Sequence, residues 1–158
     1  MRALSLAVLM IVVTAMVSQA QTKGTDYYSP QELMQKGQAL NKQAHATNNV
    51  ATEILDRYPG HFTELAYRFK DGQAEQHATM ADIFIVLDGS ATLLSGGEIV
   101  NAKTSGPGEV RGDSVRNGNR QKLNKGDIVH IPAGLPHQLV EPSSGGFTYF
   151  IVKAEEKH

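Results

Sequence analysis

The chain predicts an all-β domain, and three observations carry that expectation. From Val50 onward, short runs rich in Val, Ile, Phe, Tyr and Thr alternate with turns built on Gly, Pro, Asn and Asp. Helical periodicity is almost absent after residue 45. The run Asp82–Leu87 is apolar on both sides: Asp82, Phe84 and Val86 share one strand face, and Ile83, Ile85 and Leu87 share the other. A strand of that kind is covered on both faces, as in a sandwich or jelly roll. At 158 residues one domain is expected.

The first twenty residues are different in kind. Met1-Arg2 gives a positive start, Ala3 to Val17 is apolar, and Ser18-Gln19-Ala20 offers a small-x-small cleavage pattern. That is the layout of a secretory signal peptide, and the run is short for a membrane span, which needs about 20 apolar residues. Residues 1–20 therefore read as a signal peptide, with a secreted or periplasmic product and no membrane contact after cleavage. Their removal takes away one cation, Arg2, and moves the formal charge from −1 to −2. No basic field for nucleic acid is visible. With no cysteine, the exported chain has no disulfide framework, no thiolate metal site and no cysteine nucleophile.

Residues 21–48 read as an N-terminal extension with one helix. Ser29 can cap, Pro30 suits the first helical position, and Glu32 completes a capping box, so a helix is expected over 30–43, lying against the sheet. His45 beyond it reads as a surface group. The barrel proper is expected over 49–153. It opens with a hairpin in which Ala51–Tyr58 and Phe62–Phe69 flank Pro59-Gly60, with His61 on the turn. Asp71-Gly72 turns next. The strand Asp82–Leu87 and its continuation Ala91–Leu94 follow, and then a turn at Ser95-Gly96-Gly97-Glu98. The outer face of Asp82–Leu87 needs a cover: a second sheet, the helix or another subunit. This motivates a homodimer, since closed symmetric dimers are the commonest oligomers. Residues 101–120 are rich in Gly and poor in apolar residues and predict a long irregular loop. Within it, Arg111-Gly112-Asp113 is a tripeptide too short to carry a cell-adhesion reading. Gly146–Val152 supplies a last strand, and 154–158 reads as a frayed tail.

The chemistry concentrates in two stretches. In the first, Glu75 and His77 lie two residues apart, so both point to one side of a strand, and Asp82 follows. In the second, Gly126-Asp127-Ile128-Val129-His130-Ile131-Pro132-Ala133-Gly134-Leu135-Pro136-His137 turns, crosses an apolar strand and turns again, presenting His137 at the start of a returning strand. The pair resembles the two signature motifs of the cupin superfamily. Gly126, Pro132, Gly134 and His137 match the second motif at every spacing, with Glu141 where Asn is usual. In the first motif His77 fits the second His, Asp82 the Glu and Gly89 the final Gly, while Glu75 stands at the first His position. The resemblance spans roughly residues 65 to 152 and implies a double-stranded β-helix, a jelly-roll barrel with a short N-terminal helix.

It also implies a metal site formed by Glu75, His77, Asp82 and His137. Two imidazoles with carboxylates suit a divalent transition ion, whether Fe, Mn, Zn, Ni or Cu. Typical metal-binding cupins present three His and one Glu; the extra carboxylate here shifts the preference toward harder ions. The alternative is a metal-free barrel in which His77 pairs with Asp82 and Glu75 faces the mouth. Glu75 and His130 are the acid–base candidates, His130 also reading as an ordinary core or rim histidine. A glycine-rich phosphate loop with its Lys, a His-Glu-x-x-His pair and a nucleophile-elbow Ser are all missing. The expected function is a metal-dependent oxygenase, lyase or isomerase acting on a small polar organic molecule. The alternative is a barrel that binds a small sugar or carboxylate without turnover.

Overall fold

The computed structural model describes residues 24–156. Among the described residues, one helix, α1 (Pro30–Thr47), precedes twelve strands. Ser29 caps α1: its hydroxyl accepts from the Glu32 N–H, and the Glu32 carboxylate accepts from the Ser29 N–H, so the capping box is complete. The helix runs one turn beyond the expected end, to Asn48, whose left-handed backbone closes it. Its buried residues Leu33, Gly37, Leu40 and Ala44 recur at helical spacing and make one stripe.

The strands are β1 (Ala51–Tyr58), β2 (His61–Arg68), β3 (Ala74–His77), β4 (Met80–Ser95), β5 (Glu98–Val100) and β6 (Lys103–Gly106). They continue with β7 (Glu109–Gly112), β8 (Ser114–Arg116), β9 (Asn119–Asn124), β10 (Ile128–Ile131), β11 (His137–Val140) and β12 (Phe147–Glu155). β1 and β2 form the expected hairpin. A curled antiparallel sheet follows the order β1-β2-β12-β4-β11-β3-β7-β6, with β9 and β10 also on β4. The 16-residue β4 is the spine: its first half pairs with β12 and β10, its second with β11 and β9. The change of direction falls at Gly89 (φ 74°), where a Cβ would collide with the Gly146 carbonyl. Curling the sheet there gives the cupin-type half-barrel.

Alternation along β2 sorts the core. Ala66 points into the barrel with Phe84, Val86, Leu139, Phe147, Tyr149 and Ile151. Leu65 and Tyr67 point outward, beneath Leu33, Leu40 and Ala44 of α1. The helix therefore covers part of the outer face, including Leu87 of β4. Full burial of a side chain such as Leu65 is worth about 1.5–3 kcal/mol.

Two expectations are corrected. Residues 101–120 are not an irregular loop: they hold β6, β7, β8 and the start of β9. Their strand character comes from pairing, of β7 with β6 and the distant β3, of β8 with β5 and of β9 with β4, and not from an apolar pattern of their own. The tail is not frayed from Ala154: β12 runs to Glu155, the Glu156 N–H reaches the Thr79 carbonyl at 2.9 Å, and the Glu156 carboxylate accepts the Ala133 N–H at 2.6 Å. The signal-peptide reading of residues 1–20 lies outside the described residues. Among the described residues, no helix is long and apolar enough to cross a membrane.

Candidate metal centre

Register assembles the site. Glu75 and His77 sit two apart on β3 and share a face. His137 opens β11 directly opposite Glu75, after a turn in which Gly134 takes φ 79° and donates to the His77 carbonyl at 2.7 Å. Asp82 enters from β4. One donor atom from each of the four lies within 4.8 Å of the others. Asp82 and His137 are 1% and 2% exposed, so these are charges held in a dry interior.

The second layer of contacts orients the rings. His77 Nδ1 lies 2.7 Å from the Glu109 carboxylate, and His137 Nδ1 lies 3.0 Å from the Leu135 carbonyl. An acceptor beside each Nδ1 places a ring proton there and turns each Nε2 inward, where a metal ion would have to displace the second proton of His137. His137 Nε2 stands 3.3 Å from both Glu75 Oε1 and Asp82 Oδ2, and His77 Nε2 stands 3.3 Å from Asp82 Oδ2. Two ligands bonded to one ion at about 2.1 Å stand roughly 3.0–3.4 Å apart. Asp82 Oδ2 and His137 Nε2 are buried with no hydrogen-bond partner. Convergent acceptor atoms at this spacing, two of them orphaned, fit a divalent cation.

Protein cations also reach the cluster. Lys153 Nζ from β12 lies 2.5 Å from Asp82 Oδ1 and 2.9 Å from His77 Nε2. Arg111 on β7, paired in register with Glu75, bonds its carboxylate. These charges set the titration. Burial alone would raise the carboxyl pKa of Glu75, but His137, Arg111 and Lys153 outweigh it and bring the value to about 2. Burial likewise opposes ionisation of Asp82, yet His137, His77 and Lys153 hold it far below the usual carboxylate range. For His137, burial works against the cation, the Asp82 and Glu75 carboxylates prevail, and the pKa rises to about 9. The ring is not aimed closely enough at either oxygen for a good hydrogen bond, so the attraction is one of charge.

All four residues named from the sequence come together. His130 does not join them: it lies on β10 opposite Ile83, exposed on the outside of the sheet, which removes it as an acid–base candidate. The sequence reading missed Glu109, Arg111, Lys153, Arg68 and Tyr149. Lys153 had a signal. Tyr149 and Ile151 alternate toward the barrel interior, and the next inward position is Lys153. Glu109 and Arg111 had none, because only the register of β7 against β3 brings them in. Glu75 and Asp82 face a cavity of about 550 Å³, also lined by Arg68, Tyr149, Arg111 and Lys153.

Solved structures similar to this chain are cupin-type proteins. The fold is that of the cupins. The TT1209 protein from Thermus thermophilus matches with a TM-score of 0.51 at 15% identity over 70% of this chain and 87% of its own. The DMSP lyase DddQ from Ruegeria pomeroyi DSS-3 matches with a TM-score of 0.50 at 18% identity, over 70% of this chain and 49% of its own. A Cupin 2 conserved barrel domain protein from Salinispora arenicola CNS-205 is 21% identical over 68% of this chain and 76% of its own, with a TM-score of 0.47. No protein-family model and no curated protein matches the sequence. Of these structures, DddQ is by name a DMSP lyase.

Proposed function

We propose that this cupin is an exported, metal-dependent enzyme acting on a small polar organic molecule inside the barrel. The observation that carries the reading is the convergence of Glu75, His77, Asp82 and His137 within 4.8 Å, with both imidazoles turned inward by their Nδ1 partners. The ion would be a divalent transition metal, Fe, Mn, Zn, Ni or Cu, and would supply Lewis-acid or oxygen-binding chemistry. Around it, Glu109 and the Leu135 carbonyl fix the rings, while Arg111 and Lys153 keep the carboxylates ionised. Glu75, the most open member of the cluster, is an anion at neutral pH with its pKa brought to about 2, which suits it to hold a cation and makes it a poor acid or base. Oxygenase, lyase and isomerase chemistry all suit such a centre.

One observation favours a second reading. The Lys153 ammonium already contacts Asp82 and His77. A tethered cation there suits a metal-free barrel that binds a small ligand without turnover. A homodimer is also proposed, through the outer face where Ile83 and Ile85 are half-buried beside Ile128, which is 69% exposed.

Elemental mass spectrometry on the untagged protein, beside a His77→Ala/His137→Ala variant, tests the choice. Near-stoichiometric metal that vanishes in the variant supports the enzyme. No metal after reconstitution with Fe, Mn, Ni, Cu and Zn sinks it in favour of the binding barrel. Light scattering on the same samples reads the dimer, and a monomer at micromolar concentration removes it.

A further inference from the structure

Arg68 has a role in this cavity that neither the fold nor the metal cluster assigns. It ends β2 on the inward face and is 9% exposed. Three other cations line the same cavity. Arg111 is paired with Glu75 and Glu109, Lys153 with Asp82, and Lys70 sits at the exposed rim on Asn48. Arg68 alone is buried without a contacting acid: among the described residues no carboxylate lies within 4 Å of its guanidinium, and Glu75 and Asp71 act on it only from farther off. Its Nε and Nη2 both donate to one neutral acceptor, the Tyr149 hydroxyl, at 3.2 and 2.9 Å. Nη1 makes no hydrogen bond to the described residues. It lies where Gly72 leaves room, since a Cβ there would collide with it. Tyr149 is itself fixed, its ring 5.1 Å from Phe84 and 4.8 Å from Phe147.

A buried guanidinium carries five N–H donors and a charge that costs free energy unless an anion meets it. Here it is pre-positioned on the wall of a cavity that Glu75 and Asp82 of the cluster also line. We infer that Arg68 is the recognition site for the carboxylate of a small organic acid, whose remaining atoms extend toward that cluster. A carboxylate matches the free edge of the guanidinium fork. The lining holds four acidic and four cationic side chains, so a singly charged carboxylate fits it better than a phosphate dianion. This names the substrate class of the proposed function and rests on its placing of a small molecule inside the barrel.

Calorimetric titration tests it on protein purified from cells expressing the full chain. The probes are glycolate against glycolamide, lactate against lactamide, and inorganic phosphate. The expected result is at least about tenfold tighter binding of each acid than of its amide, lost in Arg68→Gln and kept in Arg116→Gln, a remote surface control. Equal affinity for acid and amide, tighter binding of phosphate, or no acid binding up to about 10 mM overturns the inference. Should Arg68→Gln not fold, the wild-type acid-to-amide ratio decides alone. Metal content of the same samples separates the two readings. Acid selectivity without metal keeps this subsite and sinks the metal centre; metal without selectivity does the reverse.

Discussion

The barrel interior around Asp82 and the outer face beneath α1 are equally dry, for opposite reasons. Asp82 and His137 are 1% and 2% exposed, and Leu65 and Leu40 are 0% and 3%. Beneath the helix, burial is itself the driving force, and any apolar side chain of the right volume would serve. At the cluster, burial is a cost, tolerated because carboxylates, imidazoles, Lys153 and Arg111 face one another. The outer cluster should therefore govern stability with no effect on metal, and the inner one should govern metal with a smaller effect on stability.

Substitutions can break that division. Leu65→Ala should lower unfolding free energy by about 2–5 kcal/mol in a denaturant titration while leaving metal content per folded molecule unchanged. A parallel fall in metal content would show that the two regions are coupled. His137→Ala should weaken metal binding by more than about 100-fold in a chelator competition, because it removes an inward-facing donor outright. Glu109→Gln should do less, about 10–100-fold, because it loosens the orientation of His77 without removing a ligand. Equal losses from the two variants would make Glu109 a ligand.

Acid and base should unsettle the inner region alone. In the metal-free protein, Glu75 titrates near 2 when folded, against roughly 4.3 unfolded. Its stabilisation is present above the unfolded value and is lost as pH falls toward 2, and Asp82 acts in the same direction. His137 titrates near 9 when folded, against roughly 6.5 unfolded, so its contribution is complete below the unfolded value and disappears as pH rises through 9. Melting temperature after chelation should peak between about pH 4.5 and 6.5. His137→Gln should flatten the alkaline limb; an unaltered limb would contradict the assignment.

The smallest effect sharpens the comparison at a turn. Among the described residues, four other than glycine have positive φ: Asn48, Asn101, Asn117 and Glu141. Three are Asn, which tolerates that backbone. Glu141, at φ 52°, is the exception, and it stands where the cupin motif usually has Asn. It bonds Thr92 and Arg120 at the surface, contacts worth little. Glu141→Asn should raise stability by no more than ~1 kcal/mol and leave ligand binding alone. A loss of stability would mean that the surface bonds outweigh the strain.

What the sequence made legible follows the range of each interaction. The turn from Gly126 to His137 and the inward face Asp82-Phe84-Val86 are written in local spacing, and both are present. The placing of Glu75 beside His77 followed from strand alternation. Glu109 and Arg111 were invisible because only the pairing of β3 with β7 puts them opposite His77 and Glu75. The edge strand β6 was hidden for another reason: it pairs with its neighbour β7, but its exposed Lys103, Thr104 and Ser105 have no apolar alternation. Arg68 carried no signal in the sequence, because only the pairing of β2 with β12 brings Tyr149 against it.

The place of β12 bears on how the molecule comes into being. It is the last strand in chain order, yet it lies between β2 and β4 and pairs with both along its length. While the ribosome is still making the chain, β2 and β4 wait with an empty slot between them. Glu75, His77, Asp82 and His137 have all been synthesised, but the wall that carries Tyr149 and Lys153 has not. Such non-local closure is slow and comes late. The barrel therefore cannot lock before β12 is free to enter that slot.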